Sequence, residues 1–163
     1  MSYARFAAMI ATSTVVMFGL MYLNTYALDH VWYSQTRTWM ALVMGAVMAV
    51  IMLGFMWSMY RSRTANWGIV AGSVVVFAVA LYLVRSQDTV GDVAFMKAMI
   101  PHHSIAIMTS ERAHIRDPRV RKLADAIWQT QVREIAEMTA LIGELERNPP
   151  PDDAPDLPPP DKR

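Results

Sequence analysis

The chain of 163 residues contains no cysteine, which excludes disulfides, thiolate metal sites and cysteine nucleophiles. Charged residues make up only 18% of it, and few of them precede Arg85. The net charge of +1 gives no basic excess of the kind that binds nucleic acid, so no nucleic-acid partner is expected. The sequence offers no Ser-His-Asp set and no phosphate-binding loop, and we therefore do not expect an enzyme.

Apolar sequence fills the first half of the chain instead. Three runs, at about 6–28, 39–60 and 67–84, each approach the ~20 residues that cross about 30 Å of hydrocarbon as a helix. No charge lies inside any of them, and Tyr or Trp stands near most ends, as interfacial anchors do. The apolar core of the first run is too long for a cleaved signal peptide, its basic region is a lone Arg5, and no A-x-A site follows it. Residues 1–85 are predicted to form a three-helix transmembrane domain in a lipid bilayer.

The few basic residues beside these runs predict an orientation. Arg5 precedes the first span, and Arg61 and Arg63 lie between the second and third, whereas Asp29 offsets Arg37 in the remaining loop. By the positive-inside rule, the N-terminus is then cytoplasmic and everything after the third span lies outside. We expect a multi-pass protein of a bacterial inner membrane with a periplasmic C-terminal domain.

The second half of the chain has helical periodicity. Apolar residues recur at three-and-four spacing from Asp92 to Ile115 and again through about 119–147. Between them, Asp117-Pro118 ends one helix and begins the next, because proline suits the first turn of a helix. The fold class is thus all-α, with an extramembrane helical hairpin over 86–147.

Two further expectations concern the surroundings of this hairpin. Two helices bury too little surface to be stable alone in water, so the hairpin is one half of a four-helix bundle completed by a second copy, or it docks on the membrane domain. The first possibility makes the protein a homo-oligomer through the hairpin. The Pro-rich segment 148–163 is predicted to be an extended, disordered tail.

The segment 95–103 concentrates soft metal donors within about two helical turns. Its thioethers are Met96 and Met99, and its imidazoles are His102 and His103. Thioether sulfur is a soft ligand and imidazole a borderline one, so the combination favours copper, Cu(I) above all, over the oxygen-seeking magnesium, calcium and manganese. Imidazole also allows Cu(II). Core packing and helix capping are the alternative roles for the same side chains.

Folding the hairpin about its turn predicts partners on the second helix. Met96 comes opposite Met138, and His103 comes opposite Gln131, so that Met138 joins the metal ligands. Pro101 removes one helical hydrogen bond beside the two histidines. The weaker candidate ligands are Asp92, Gln131, His114 and His30.

Two competing motifs are less favoured. Glu111-x-x-His114 has the spacing of di-iron bundles, but no glutamate is expected to face it on the second helix. In the second span, methionine recurs every four residues from Met40 to Met56, which is either a thioether ladder for Cu(I) or apolar packing. The span has no His, Asp or Glu of the kind that marks ion pathways, so we favour packing.

Three segments of the second half resemble the domain of unknown function 305 family, which includes the CopM-type copper-binding proteins. They are Phe95-Met96-x-x-Met99-Ile100-Pro101-His102-His103, Asp117-Pro118-x-Val120-x-x-Leu123-Ala124 and Gln131-x-x-Glu134-Ile135-x-x-Met138. The resemblance spans about 92–142. It implies a ferritin-like helical bundle, periplasmic or membrane-anchored, that binds copper and takes part in copper tolerance. The ligands that it implies are Met96, Met99, His102, His103 and Met138, with Asp92 weaker.

The membrane block is similar to a three-span subgroup of this family. From the residues and the resemblance together, we expect a membrane-anchored periplasmic copper-binding protein that serves copper buffering, tolerance or delivery. The alternative is a structural or assembly subunit of a membrane complex, in which no metal binds and the His-Pro motif shapes helix packing.

Overall fold

The structure, a computed structural model, is described for residues 2–151 and 153–158. Within these residues every regular element is helical, as the periodicity predicts. The five α-helices are α1 (Tyr3–Leu20), α2 (Gln35–Phe55), α3 (Arg63–Ser86), α4 (Asp92–Arg112) and α5 (Pro118–Arg147), with short 3₁₀ turns at Leu28–His30 and Trp57–Met59. Helices α1, α2 and α3 are each long and apolar enough to cross a membrane, by length and composition.

Serine side chains set the starts of these three helices. Ser2, Ser34 and Ser62 each accept a hydrogen bond from a backbone N–H of the first turn. Such a cap satisfies a donor that has no partner inside the helix. The three helices begin before the predicted runs for this reason, since hydropathy locates the apolar window and not the cap. The largest difference is at the end of α1, where the segment after Leu20 leaves the helix and forms turns.

Helix α2 is the centre of the predicted membrane domain, α1 to α3, because α1 and α3 both pack against it. Phe6, Ala49, Leu53 and Tyr60 form its buried cluster. At Gly45, an added Cβ would collide with the side chain of Thr14, so this glycine permits the close approach of α1 and α2. Two methionines of the recurring series, Met52 and Met56, contact the cluster as apolar neighbours, whereas Met40 is exposed.

Helices α4 and α5 form the predicted hairpin. Asp117 caps α5 by accepting from the N–H of Arg119, and Pro118 occupies the first turn, which confirms the Asp-Pro turn signal. The buried core of the hairpin consists of Met96, Ile100, Ile107, Ile135 and Ile142. Helix α4 is continuous through Pro101, whose ring is fully buried.

The hairpin docks on the membrane domain of its own chain. Fully buried Ser104 on α4 accepts a hydrogen bond from the N–H of Tyr26 at 2.7 Å, and its hydroxyl lies 2.9 Å from Nδ1 of His30. Trp32 packs against the hairpin core, with the Lys97 ammonium over its ring. The loop between α1 and α2 therefore covers one face of α4. Docking is one of the two arrangements that the sequence left open, and pairing with a second copy stays a prediction.

The tail after α5 contains no helix or strand in its described part, residues 149–151 and 153–158. The prediction of disorder also covers residues 152 and 159–163, which lie outside the described residues. Disorder of this tail stays a prediction.

Candidate functional site

A groove of about 490 Å³ opens between α4 and α5 near the end of the hairpin that is remote from its turn. Its walls combine thioethers, carboxylates, one imidazole and apolar side chains. Helix α4 contributes Asp92, Phe95, Met96, Met99 and His103, and α5 contributes Glu134, Glu137, Met138, Leu141 and Leu145. Five of the side chains that the sequence proposes as ligands therefore lie around one space.

Helical spacing explains why these side chains share a face. Asp92, Met96, Met99 and His103 follow one another at intervals of four, three and four residues, which keeps them on one side of α4. Met138 approaches them from α5, where it packs against the hairpin core beside buried Met96. The thioethers of Met99 and Met138 are only partly buried, so the groove is accessible to a small ion.

His103 is held by two contacts of 2.9 Å, one at each ring nitrogen. Nδ1 faces the carbonyl oxygen of Met99, and Nε2 faces Oε2 of Glu134. Because a carbonyl oxygen only accepts, Nδ1 carries a proton and donates a hydrogen bond to the backbone oxygen of Met99. This leaves Nε2 as the ring nitrogen that points into the groove. Histidines that bind metals commonly fix the second nitrogen by such a bond to a backbone carbonyl.

The predicted pairing of His103 with Gln131 is wrong. Glu134, one turn further along α5, faces His103, and Gln131 does not line the groove. Side chains on a helix lean toward its N-terminus. In an antiparallel hairpin this tilts the α4 side chains away from the turn and the α5 side chains toward it. His103 consequently meets a residue beyond the one at its own level.

Glu134 and Glu137 are the groove residues that sequence reasoning missed as candidate ligands. The available signal was the spacing of Glu134, Met138 and Leu141 on α5, combined with the tilt of helical side chains. The two glutamates and Asp92 give the groove an acidic wall, and none of its lining residues is Lys or Arg. Such a wall favours cations over anions.

Three other predicted ligands lie outside the groove. His102 is exposed, and its ring centroid is 6.0 Å from that of His103. His114 is exposed just beyond the end of α4. His30 is held by Ser104 on the docked face of α4. Ser104 follows Met99 by five residues, which is about 140° around a helix. The groove therefore opens on a side of α4 away from the loop between α1 and α2.

Nitrogen and oxygen donors alone do not complete a metal site. Among the described residues, no group of three or more His, Cys, Asp or Glu side chains is placed to hold a metal ion. A metal in the groove would therefore depend on the thioethers. For the di-iron motif, the Glu111 carboxylate lies near the Tyr26 phenol and raises its pKa.

An ion pair at the turn of the hairpin shifts the pKa of an aspartate. The side chain of Arg119 lowers the pKa of the Asp117 carboxyl through a hydrogen bond, with a second bond from the Arg119 backbone. Near the open end of the hairpin, Lys97 forms an ion pair of 2.6 Å with Glu146. This pair ties the start of α4 to the end of α5 beside the groove.

Comparison with known proteins identifies the hairpin. The profile of a domain of unknown function (DUF305) matches residues 87–159, which include α4 and α5. Uncharacterized protein L153 of Acanthamoeba polyphaga mimivirus is 32% identical over 104 residues, covering 60% of this chain and 68% of the viral protein. No solved structure matches significantly. The family that the motifs predict is confirmed: the chain belongs to the DUF305 family.

Proposed function

We propose that the protein is a membrane-anchored copper-binding protein of the CopM type, which presents the hairpin groove to the bacterial periplasm. One observation carries this proposal. The thioethers of Met96, Met99 and Met138 line the same groove as Nε2 of His103, whose other nitrogen is already bonded. Soft sulfur with one imidazole is the donor set that Cu(I) prefers.

The groove suits exchange of copper more than permanent storage. Met96 is buried, but Met99 and Met138 are partly exposed. The groove opens on the side of α4 away from the loop between α1 and α2. Copper is then a cargo that the hairpin takes up and releases, as buffering, tolerance or delivery to partner proteins requires. The carboxylates on the rim attract the cation before the thioethers bind it.

The proposed topology has a cytoplasmic N-terminus, three spans in the inner membrane and a periplasmic hairpin. The docking contact supports it. In a three-span protein, the loop after the first span and the segment after the third lie on the same side, and Ser104 of the hairpin bonds to Tyr26 of that loop. Assembly into a homo-oligomer through the hairpin, as in a ferritin-like bundle, belongs to the same proposal.

A second candidate function, a structural or assembly subunit, is favoured by an observation in the membrane domain. An apolar groove of about 700 Å³ lies between α1, α2 and α3. Gly68 and Gly72 on α3 have open space where a side chain would be, so neither glycine is needed for packing within the chain. Glycines at this spacing allow a helix of another subunit to approach closely.

Copper titration of the full-length protein in detergent separates the two candidates. The test variant replaces Met96, Met99 and Met138 by leucine, which nearly conserves volume. Met108→Leu is the matched control, because Met108 lies on α4 outside the groove. We expect saturable Cu(I) binding in competition with a chelator for wild type and control, and its loss in the triple variant. Equal, weak uptake by all three proteins would favour the structural subunit.

A further inference from the structure

The proposed Cu(I) site on the thioethers makes no use of a short contact between His103 and Glu134. Nε2 of His103 lies 2.9 Å from Oε2 of Glu134, with side-chain exposures of 12% and 39%. Both atoms carry lone pairs that repel each other unless a positive charge lies between them. A proton or a metal cation meets that need.

The contact of the other ring nitrogen decides which nitrogen is open to a metal cation. Nδ1 donates a hydrogen bond to the Met99 carbonyl oxygen, so a metal cation would meet the lone pair of Nε2, which is directed at the carboxylate. Two donors bound at right angles to one ion, each at the length of about 2.0 Å typical of zinc sites, lie about 2.8 Å apart. The 2.9 Å between Nε2 of His103 and Oε2 of Glu134 is close to this spacing.

The chemistry of this pair differs from that of the thioethers. Imidazole nitrogen with carboxylate oxygen is a donor set for Cu(II), which favours square-planar or tetragonal N,O coordination, whereas Cu(I) favours sulfur. Glu137 and Asp92 add negative charge to the same groove, which stabilises a divalent cation more than a monovalent one.

We propose that Glu134 is a metal ligand that acts with Nε2 of His103, so that the groove holds Cu(II) on its nitrogen and oxygen donors as well as Cu(I) on its thioethers. This inference rests on the proposed copper function and extends it to the oxidised ion. Because only two such donors converge within the described residues, water or a thioether completes the coordination of Cu(II).

Electron paramagnetic resonance of the full-length protein loaded with Cu(II) tests this proposal. The test variant is Glu134→Gln, which keeps size and a hydrogen-bonding group but removes the anionic oxygen. The matched control is Glu137→Gln, in the same groove but without the bond to His103. His102→Ala and His114→Ala in a shared background remove the exposed imidazoles as competing Cu(II) sites.

In that background we expect Glu134→Gln to lower Cu(II) affinity on the order of tenfold or more and to change the copper hyperfine splitting. Cu(I) affinity should change little, and Glu137→Gln should retain the spectrum of the parent protein. Circular dichroism of each variant verifies that the helices persist.

Two results would overturn the assignment of Glu134. An unchanged spectrum with unchanged Cu(II) affinity means that Glu134 is only a hydrogen-bond partner. An unchanged spectrum with equally weakened Cu(I) and Cu(II) binding means that it positions His103 without touching the ion. Failure of the proposed function looks different, because the parent protein then binds neither oxidation state of copper.

Discussion

Methionine is abundant in both halves of the molecule, but its neighbours differ. In the membrane domain, Met52 and Met56 pack against an apolar and aromatic cluster. In the hairpin, Met99 and Met138 line a groove together with an imidazole and three carboxylates. Thioether sulfur fills space in the first setting and is available as a ligand in the second. The surrounding donors, and not the number of methionines, distinguish a candidate site from core packing.

The largest difference between the two halves is expected when one fully buried residue in each is truncated, because burial stabilises them by different means. Ile100 in the hairpin and Leu53 in the membrane domain are both fully buried. We expect Ile100→Ala to destabilise the hairpin by about 2–5 kcal/mol, the range for such core truncations. Leu53→Ala should cost less, because lipid or detergent is as apolar as leucine and only packing is lost.

Hydrogen exchange of the two regions, with copper binding measured on the same samples, checks this prediction. Ile100→Ala should raise exchange in α4 and α5 and weaken copper binding, whereas Leu53→Ala should leave both unchanged. Loss of copper binding in Leu53→Ala would mean that the site depends on the membrane domain.

Adjacent histidines in α4 sharpen the comparison within the hairpin. His103 faces the groove and His102 is exposed. His103→Ala should weaken copper binding by at least about tenfold, since removal of even a hydrogen-bond partner of a ligand has an effect of this size. His102→Ala should leave it near the wild-type value. Isothermal titration of both variants measures the difference, and equal losses would contradict the placement of the site.

Ser104 connects the two halves, and its replacement should change the loop after α1 without changing the groove. Ser104→Ala leaves the N–H of Tyr26 and the ring of His30 without their partner, at a cost of about 1–3 kcal/mol. We expect faster hydrogen exchange in the loop after α1, with the copper affinity of the groove unchanged. A parallel fall in copper affinity would show that docking shapes the site.

Acidification should have the smallest effect, at the turn of the hairpin. Arg119 lowers the pKa of Asp117 in the folded state below its ordinary value of 3.8. A carboxyl whose pKa is lowered by folding stabilises the folded state fully at pH values above its ordinary pKa. This stabilisation is lost as the pH falls through the lowered pKa of the folded state. The free energies of unfolding of wild type and Asp117→Asn should therefore converge as the pH falls below about 4. A constant difference down to pH 2 would contradict this role.

Periodicity and turn chemistry were sufficient to predict the elements of the fold. The apolar runs marked three helices, and Asp117-Pro118 marked the turn of the hairpin. The same spacing placed Met96, Met99 and His103 on one face. These features depend on residues close in sequence, for which local rules suffice.

Contacts between distant segments were not predicted in the same way. The pairing of His103 with Glu134 depends on the tilt of side chains on two antiparallel helices. The prediction paired residues at equal distances from the turn and did not include this tilt. The bond of His30 to Ser104 joins positions 74 residues apart, and no local pattern specifies it. Such contacts decide which donors meet, so His30 lies at a docking surface and Glu134 lies in the groove.

X-ray absorption at the copper edge of the Cu(I)-loaded, full-length protein tests the central proposal most directly, because it identifies the atoms bound to the ion. Sulfur neighbours should be present in wild type and in Met108→Leu, and they should disappear when Met96, Met99 and Met138 are leucine. Copper surrounded by nitrogen and oxygen alone in wild type, or an unchanged sulfur signal in the triple variant, would contradict a thioether site in the hairpin groove.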